Sequence, residues 1–133
     1  IVMVLESFVR GLGTPHHLLG NYVLLRAEAD DSGLDRPVVA VLAHLRRGSL
    51  RVVPGERVRA GQQLGECGNS GNSSDPHVHF QLMDGTDITT AHGLPFEWEY
   101  VTEEGQPRHG VPANEELFTA DRQLLAPPHS FGR

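Results

Sequence analysis

Residues 53–65 read Val53-Pro54-Gly55-Glu56-Arg57-Val58-Arg59-Ala60-Gly61-Gln62-Gln63-Leu64-Gly65. Two turn signals, Pro54-Gly55 and Ala60-Gly61, stand so close that no helix fits between them. Glycine at each corner permits the positive backbone angles that a sharp reversal needs. The Gly-x-x-Val-x-x-Gly-x-x-Leu spacing therefore leaves room for one short strand at Val58 and a second beginning at Leu64. A chain built around such corners is expected to be mostly β, a tightly coiled antiparallel β-sandwich. Composition agrees, because 15 glycines and 9 prolines interrupt short Val/Leu runs in 133 residues, which disfavours a helical bundle. That length suits one domain with a real core.

Alternation and apolar runs place the other strands. Residues 1–9 have near-strand spacing, with Val2, Val4 and Phe8 inward. Residues 11–17 are a loop by composition. Its adjacent His16 and His17 would point to opposite sides of an extended backbone, so they do not chelate together. Gly20-Asn21-Tyr22-Val23-Leu24-Leu25-Arg26 is a strand. Residues 27–37 form a polar hairpin loop, whose Asp30, Asp31 and Asp35 lack the glycine and terminal glutamate of a calcium loop. Val38-Val39-Ala40-Val41-Leu42-Ala43-His44-Leu45 is the most apolar strand and pairs with the one before it. Residues 93–101 alternate strictly, with Leu94, Phe96, Trp98 and Tyr100 on one face, and are expected to form one half-buried strand in which Trp98 packs in the core. A helical turn is expected at Asn114-Glu115-Glu116-Leu117. Residues 1–101 are thus read as the β domain and 102–133 as an extended or partly disordered extension.

No apolar run is long enough to span a bilayer. Residues 1–5 are followed at once by Glu6, so no signal peptide is visible. The chain opens on Ile1, with its first methionine at Met3. It is therefore expected to be part of a longer polypeptide.

Chemistry concentrates in Gly68-Asn69-Ser70-Gly71-Asn72-Ser73-Ser74-Asp75-Pro76-His77-Val78-His79-Phe80. On a strand, His77 and His79 share one face while Val78 and Phe80 share the other. Two neutral imidazoles side by side suit a metal site. The competing reading is a surface strand that happens to carry two histidines. His44, at the end of the apolar strand, reads in isolation as a core histidine. His92, His109 and His129 lie in less ordered patterns and carry no metal expectation. Cys67 is the single cysteine. It can form no internal disulfide, supports no zinc knuckle, and is expected to be a small buried residue.

Net charge is −6 and all 11 basic residues are arginine. Six arginines fall between Arg36 and Leu64, against the single acid Glu56. Nine acids fall between Asp84 and Asp121, against Arg108. The basic stretch has no interleaved aromatics, which argues against a nucleic-acid surface. Both blocks read as solvated faces.

Taken together, Ala43-His44-Leu45, the corner at residues 55–65, Gly68-Asn69-Ser70-Gly71 and His77-Val78-His79-Phe80 resemble, in order and spacing, the lysostaphin-type (LytM-like) zinc metallopeptidases of peptidoglycan. Gly20-Asn21-Tyr22-Val23 resembles that family's strand before its acidic loop. The resemblance covers about residues 20–82. It implies a coiled β-sandwich of duplicated hybrid-motif, barrel-sandwich type. It also implies zinc as cofactor, a peptidoglycan peptide as substrate, and a location in the cell envelope or outside the cell. By the same resemblance His79 is a zinc ligand, while His44 and His77 are the catalytic pair flanking the attacking water and the scissile carbonyl. No nucleic-acid partner is implied.

The family's other two zinc ligands, a histidine and an aspartate, lie upstream of the strand that opens this chain. Nothing before Gly20 has their spacing, and no aspartate occurs there. The chain thus matches one ligand of three. The expectation is a zinc endopeptidase whose first strands and remaining ligands lie upstream. The alternative is a degenerate member that binds peptidoglycan, or activates a partner hydrolase, without cutting. A third reading, a lipoyl or biotin carrier built on the same glycine corner, requires a lysine, and the chain has none. A sugar-phosphotransferase domain, whose phosphocarrier group could be a histidine, fits Gly-Asn-Ser-Gly before His-x-His-Phe less well than a peptidase does.

Overall fold

In the computed structural model, residues 3–6, 15–27 and 37–120 are described. These residues fold as two compact units, Ile1–Leu94 and Pro95–Arg133. They are mostly β and contain no α-helix. No helix among them is long and apolar enough to cross a membrane.

The first unit is a six-stranded sheet. In chain order its strands are β1 (Met3–Glu6), β2 (Asn21–Ala27), β3 (Val38–Leu45), β4 (Arg57–Val58), β5 (His79–Met83) and β6 (Gly93–Leu94). Their spatial order is β4-β1-β2-β3-β5-β6, and every neighbouring pair is antiparallel. The expected pairing of the apolar strand with its predecessor is therefore present. Of the inward residues expected in the first strand, Val2, Phe8 and the side chain of Val4 lie outside the described residues. So does most of the polar hairpin loop.

The central strands β2 and β3 are buried on both faces, which is why they read as unbroken apolar runs. Val23, Leu25, Ala40 and Leu45 join Val52 and Val58 in one core, with Leu42, Leu50, Leu64, Phe80 and Leu82 against it. Tyr22, Leu24, Val39, Val41, Ala43 and Met83 form the other, beneath Leu19, Ile88 and Ala91. Leu19 ends a short 3-10 helix, Pro15–Leu19, where composition suggested only a loop. Proline tolerates the first turn because its missing N–H would have no partner there.

The glycine corner forms as expected. Gly55 and Gly61 both have positive φ, 84° and 82°. Between them β4 buries Val58 and pairs with β1. The strand expected to begin at Leu64 does not form. Two backbone bonds tie this segment to its neighbour, Arg46 N–H to the Glu66 carbonyl at 2.9 Å and Arg51 N–H to the Leu64 carbonyl at 2.9 Å. The six residues from Arg46 to Arg51 thus oppose the three from Leu64 to Glu66, so no regular ladder is possible. The Ser49 hydroxyl fills the gap, donating to the Arg46 carbonyl at 2.7 Å and accepting from Glu66 N–H at 3.0 Å.

The expected single strand over residues 93–101 is broken. Its start is β6, in the first sheet. Its end is β7 (Trp98–Thr102), which pairs with β8 (Pro107–Gly110) and β9 (Phe118–Thr119) in a separate sheet of order β8-β7-β9. Pro95 falls between the pieces and offers no N–H to continue a ladder. The aromatic face survives the break. Phe96 and Trp98 rings lie 5.4 Å apart, Trp98 and Phe118 6.4 Å, and Tyr100 and Phe118 5.3 Å. No helical turn forms at residues 114–117. Glu115 instead takes a left-handed φ of 65°, closing a turn in which Glu116 N–H donates to the Ala113 carbonyl at 3.1 Å.

Candidate active site

A fault in strand pairing builds the site. In the β2–β3 ladder Val23 lies opposite Leu42, but Asn21 lies opposite Leu45. One residue of β2 therefore faces two of β3, Ala43 and His44, which is a β-bulge. His44 has φ 63°, an uncommon angle for a residue with a Cβ. Ala43 remains in the core with Tyr22 and Met83, and Leu45 in the core with Val23 and Leu25. The residue between them is freed from the alternation. The residue is 7% exposed, and its ring lies against those of His77 and His79. His44 is thus buried, as a core histidine would be, and its Nδ1 is satisfied by the Ser70 carbonyl at 2.8 Å.

His79 opens β5 directly opposite Ala43. Phe80 and Leu82 pack on one core and Met83 on the other, so by alternation His79 projects from the face of Ala43. His77 precedes the strand and is held separately, by a bridge with Gly68 in which His77 N–H donates to the Gly68 carbonyl at 3.1 Å. The single strand expected to carry both histidines is thus shorter, and Val78 is 40% exposed. The three rings still meet. His44 and His77 centroids are 4.8 Å apart, and those of His44 and His79 are 6.0 Å apart. Ring nitrogens of all three lie within 4.8 Å of one another, with His44 buried and the other two exposed.

Hydrogen bonds decide which nitrogens face inward. His44 Nδ1 lies 2.8 Å from the Ser70 carbonyl, and His77 Nδ1 lies 2.7 Å from the Asp75 carbonyl. A carbonyl can only accept, so both Nδ1 atoms carry the proton and both Nε2 atoms keep a lone pair in the neutral ring. His77 Nδ1 is also 3.2 Å from the Ser73 hydroxyl. His79 is held the other way, with Nε2 donating to Gln81 Oε1 at 3.3 Å and Nδ1 left open. Three imidazoles with ring nitrogens this close are compatible with a metal site.

Two other described histidines pair with carboxylates of their own units. His92 Nδ1 is 3.2 Å from Asp84 Oδ2, and His109 Nδ1 is 3.4 Å from Glu97 Oε2. The backbone N–H of His92, helped by its ring, holds the Asp84 carboxyl below its ordinary range. His17 is exposed on the 3-10 helix. The side chain of His16, and His129, lie outside the described residues. Cys67 was expected to be buried but is exposed. Its backbone bridges Leu45, and it is this pairing rather than side-chain packing that fixes the residue. Arg46 and Arg51 both reach Glu66, at 2.7 and 3.9 Å, across an exposed surface. The guanidinium of Arg46 keeps the Glu66 carboxyl low.

Sequence reasoning missed the residues that hold the rings: Ser70, Asp75 and Gln81. Ser70 and Asp75 act through backbone carbonyls, which carry no residue-specific signal. The one available clue was that Ser70 lies within Gly-Asn-Ser-Gly. A family model described as "Peptidase family M23" matches residues 7–92. No solved structure matches the chain.

Proposed function

Because the chain belongs to peptidase family M23, we propose that it is a zinc-dependent endopeptidase that hydrolyses peptide bonds of bacterial peptidoglycan, acting in the cell envelope or outside the cell. The observation that carries this reading is the convergence of His44, His77 and His79, with ring nitrogens within 4.8 Å of one another. His79, through its open Nδ1, would hold the ion. Zinc in such a site supplies Lewis acidity at neutral pH. The residues of the chain do the rest. His44 and His77 each keep an Nε2 lone pair in the neutral ring, and their ring centroids are 4.8 Å apart. One of them accepts the proton of the attacking water as general base. The other, once protonated at Nε2, donates to the oxygen that gains charge as the scissile carbonyl becomes tetrahedral. The carbonyls of Ser70 and Asp75 hold the proton of each neutral ring on Nδ1, so Nε2 accepts a proton before it donates one.

Metal analysis combined with turbidity clearance of purified cell walls tests the reading. His79→Ala should lose bound zinc and hydrolysis together. His44→Ala and His77→Ala should each lower kcat by about 10²–10⁴-fold while zinc is retained. Wild-type protein that holds no zinc when saturated with it would sink the proposal.

The second reading is a member of the family that binds peptidoglycan without cutting it. Cell-wall pull-down with no release of soluble peptide, unaffected by His79→Ala, would be the result.

A further inference from the structure

We propose that Ser70 is a positioning residue that makes His44 a proton acceptor at Nε2; this rests on the peptidase reading only for its kinetic consequence. The bulge leaves His44 outside regular strand geometry, at φ 63°, so something other than the ladder must fix its ring. Ser70 does so from two sides. Its carbonyl accepts from His44 Nδ1 at 2.8 Å. Its hydroxyl donates to the carbonyl of the next residue, Leu45, at 2.7 Å, and accepts from the Asn21 backbone N–H at 2.9 Å. The Asn21 side-chain amide also donates to the Leu45 carbonyl, at 3.3 Å. One serine thus bridges both strands at the bulge and presents its own carbonyl to the ring beside it.

The loop carrying Ser70 has almost no freedom to drift. A Cβ on Gly20 would lie 2.3 Å from the Ser70 carbonyl carbon, and one on Gly71 would lie 2.4 Å from the Gly20 nitrogen. Asn72 N–H donates to the Leu18 carbonyl at 2.9 Å. Backbone is therefore pressed on backbone on both sides of Asn21 and Ser70. The Ser70 carbonyl is thus held by two devices together, the packing of its peptide against Gly20 and the tie of its hydroxyl to Asn21 and Leu45. Alanine at this position would leave the Asn21 N–H without its acceptor and the Leu45 carbonyl without one of its donors. Threonine would keep both bonds.

The test reads the His44 tautomer directly, by imidazole nitrogen NMR on metal-free protein at about pH 9, where a histidine is neutral. Wild type should show His44 as the Nδ1–H form. Ser70→Ala should show an average of the two forms, and Ser70→Thr should restore the single form. Where cell walls are cleared, Ser70→Ala should lower kcat by about 10-fold or more with KM little changed, as removal of a partner that orients a site histidine typically does. Ser70→Thr should recover most of the loss. The proposal is overturned if wild-type His44 is Nε2–H or averaged, if Ser70→Ala keeps the wild-type spectrum, or if Ser70→Thr is as averaged as Ser70→Ala. If Ser70→Ala does not fold, the wild-type and threonine spectra still decide. The spectra need neither zinc nor substrate. Absence of hydrolysis in wild type would therefore overturn the peptidase reading alone.

Discussion

His44 carries a side chain the site requires on a backbone angle that glycine holds at no steric cost. Two substitutions separate these demands. His44→Ala and His44→Gly should abolish cell-wall clearance equally, since both remove the imidazole. Their stabilities should differ, because a Cβ in the left-handed region costs about 1–2 kcal/mol. Denaturant unfolding should therefore show His44→Gly more stable than His44→Ala by on the order of 1 kcal/mol, with equal stability arguing against strain at the bulge. The identities of the site histidines were legible because imidazoles at i and i+2 are a chemical pattern visible without a fold. Their tautomers were not, because the carbonyls of Ser70 and Asp75 belong to the backbone, and every residue has one.

At the scale of elements, two close approaches control the geometry. Gly71 meets Gly20 with no room for a methyl group. Gly71→Ala forces backbone apart and should destabilise by about 3 kcal/mol. Gly93→Ala, where an added Cβ meets nothing within 4 Å, should cost far less in the same denaturation measurement. The connection between β5 and β6 adds a pH-dependent term. Asp84 Oδ1 accepts from His92 N–H at 2.7 Å, and this bond, with the nearby ring, depresses the carboxyl's pKa. A carboxyl with a lowered folded pKa contributes stability that is present above its unfolded value, about 4, and lost as pH falls through the folded value. Asp84→Asn should therefore lower the urea midpoint at neutral pH, and its gap from wild type should close as the pH falls below the unfolded carboxyl value and through the lowered folded one. A gap that widens in acid would contradict this assignment. The boundaries of β3 were legible residue for residue, because a doubly buried strand is a block of apolar side chains. The break at Pro95 was not, because Leu94, Phe96, Trp98 and Tyr100 alternate across it without a fault in pattern. The missing N–H of a single residue outweighed that periodicity.

Over the whole molecule, the mostly β antiparallel architecture was legible from glycine corners and apolar runs. The division into two sheets was not, because it depends on which strands find each other rather than on any one of them. The first sheet has a core on each face, and adjacent residues serve different cores. Leu24 is 5% exposed on one side and Leu25 is 8% exposed on the other. Leu24→Ala and Leu25→Ala should each lower the unfolding free energy by about 2–5 kcal/mol. A sheet with one solvated face would make one of them nearly silent, so the pair reports double burial directly.

The contact between the start of β2 and the Gly-Asn-Ser-Gly loop also has a temporal meaning. The bond from Asn21 to Ser70 spans 49 residues and that from His44 to Ser70 spans 26. Closing loops of that size is slow compared with forming a hairpin such as β2–β3. On a ribosome, β2 and β3 emerge and can pair while the loop that orients His44 is still inside the exit tunnel. The imidazoles come together only after His79 has been made, so an unfinished chain carries a strand with a histidine but no site.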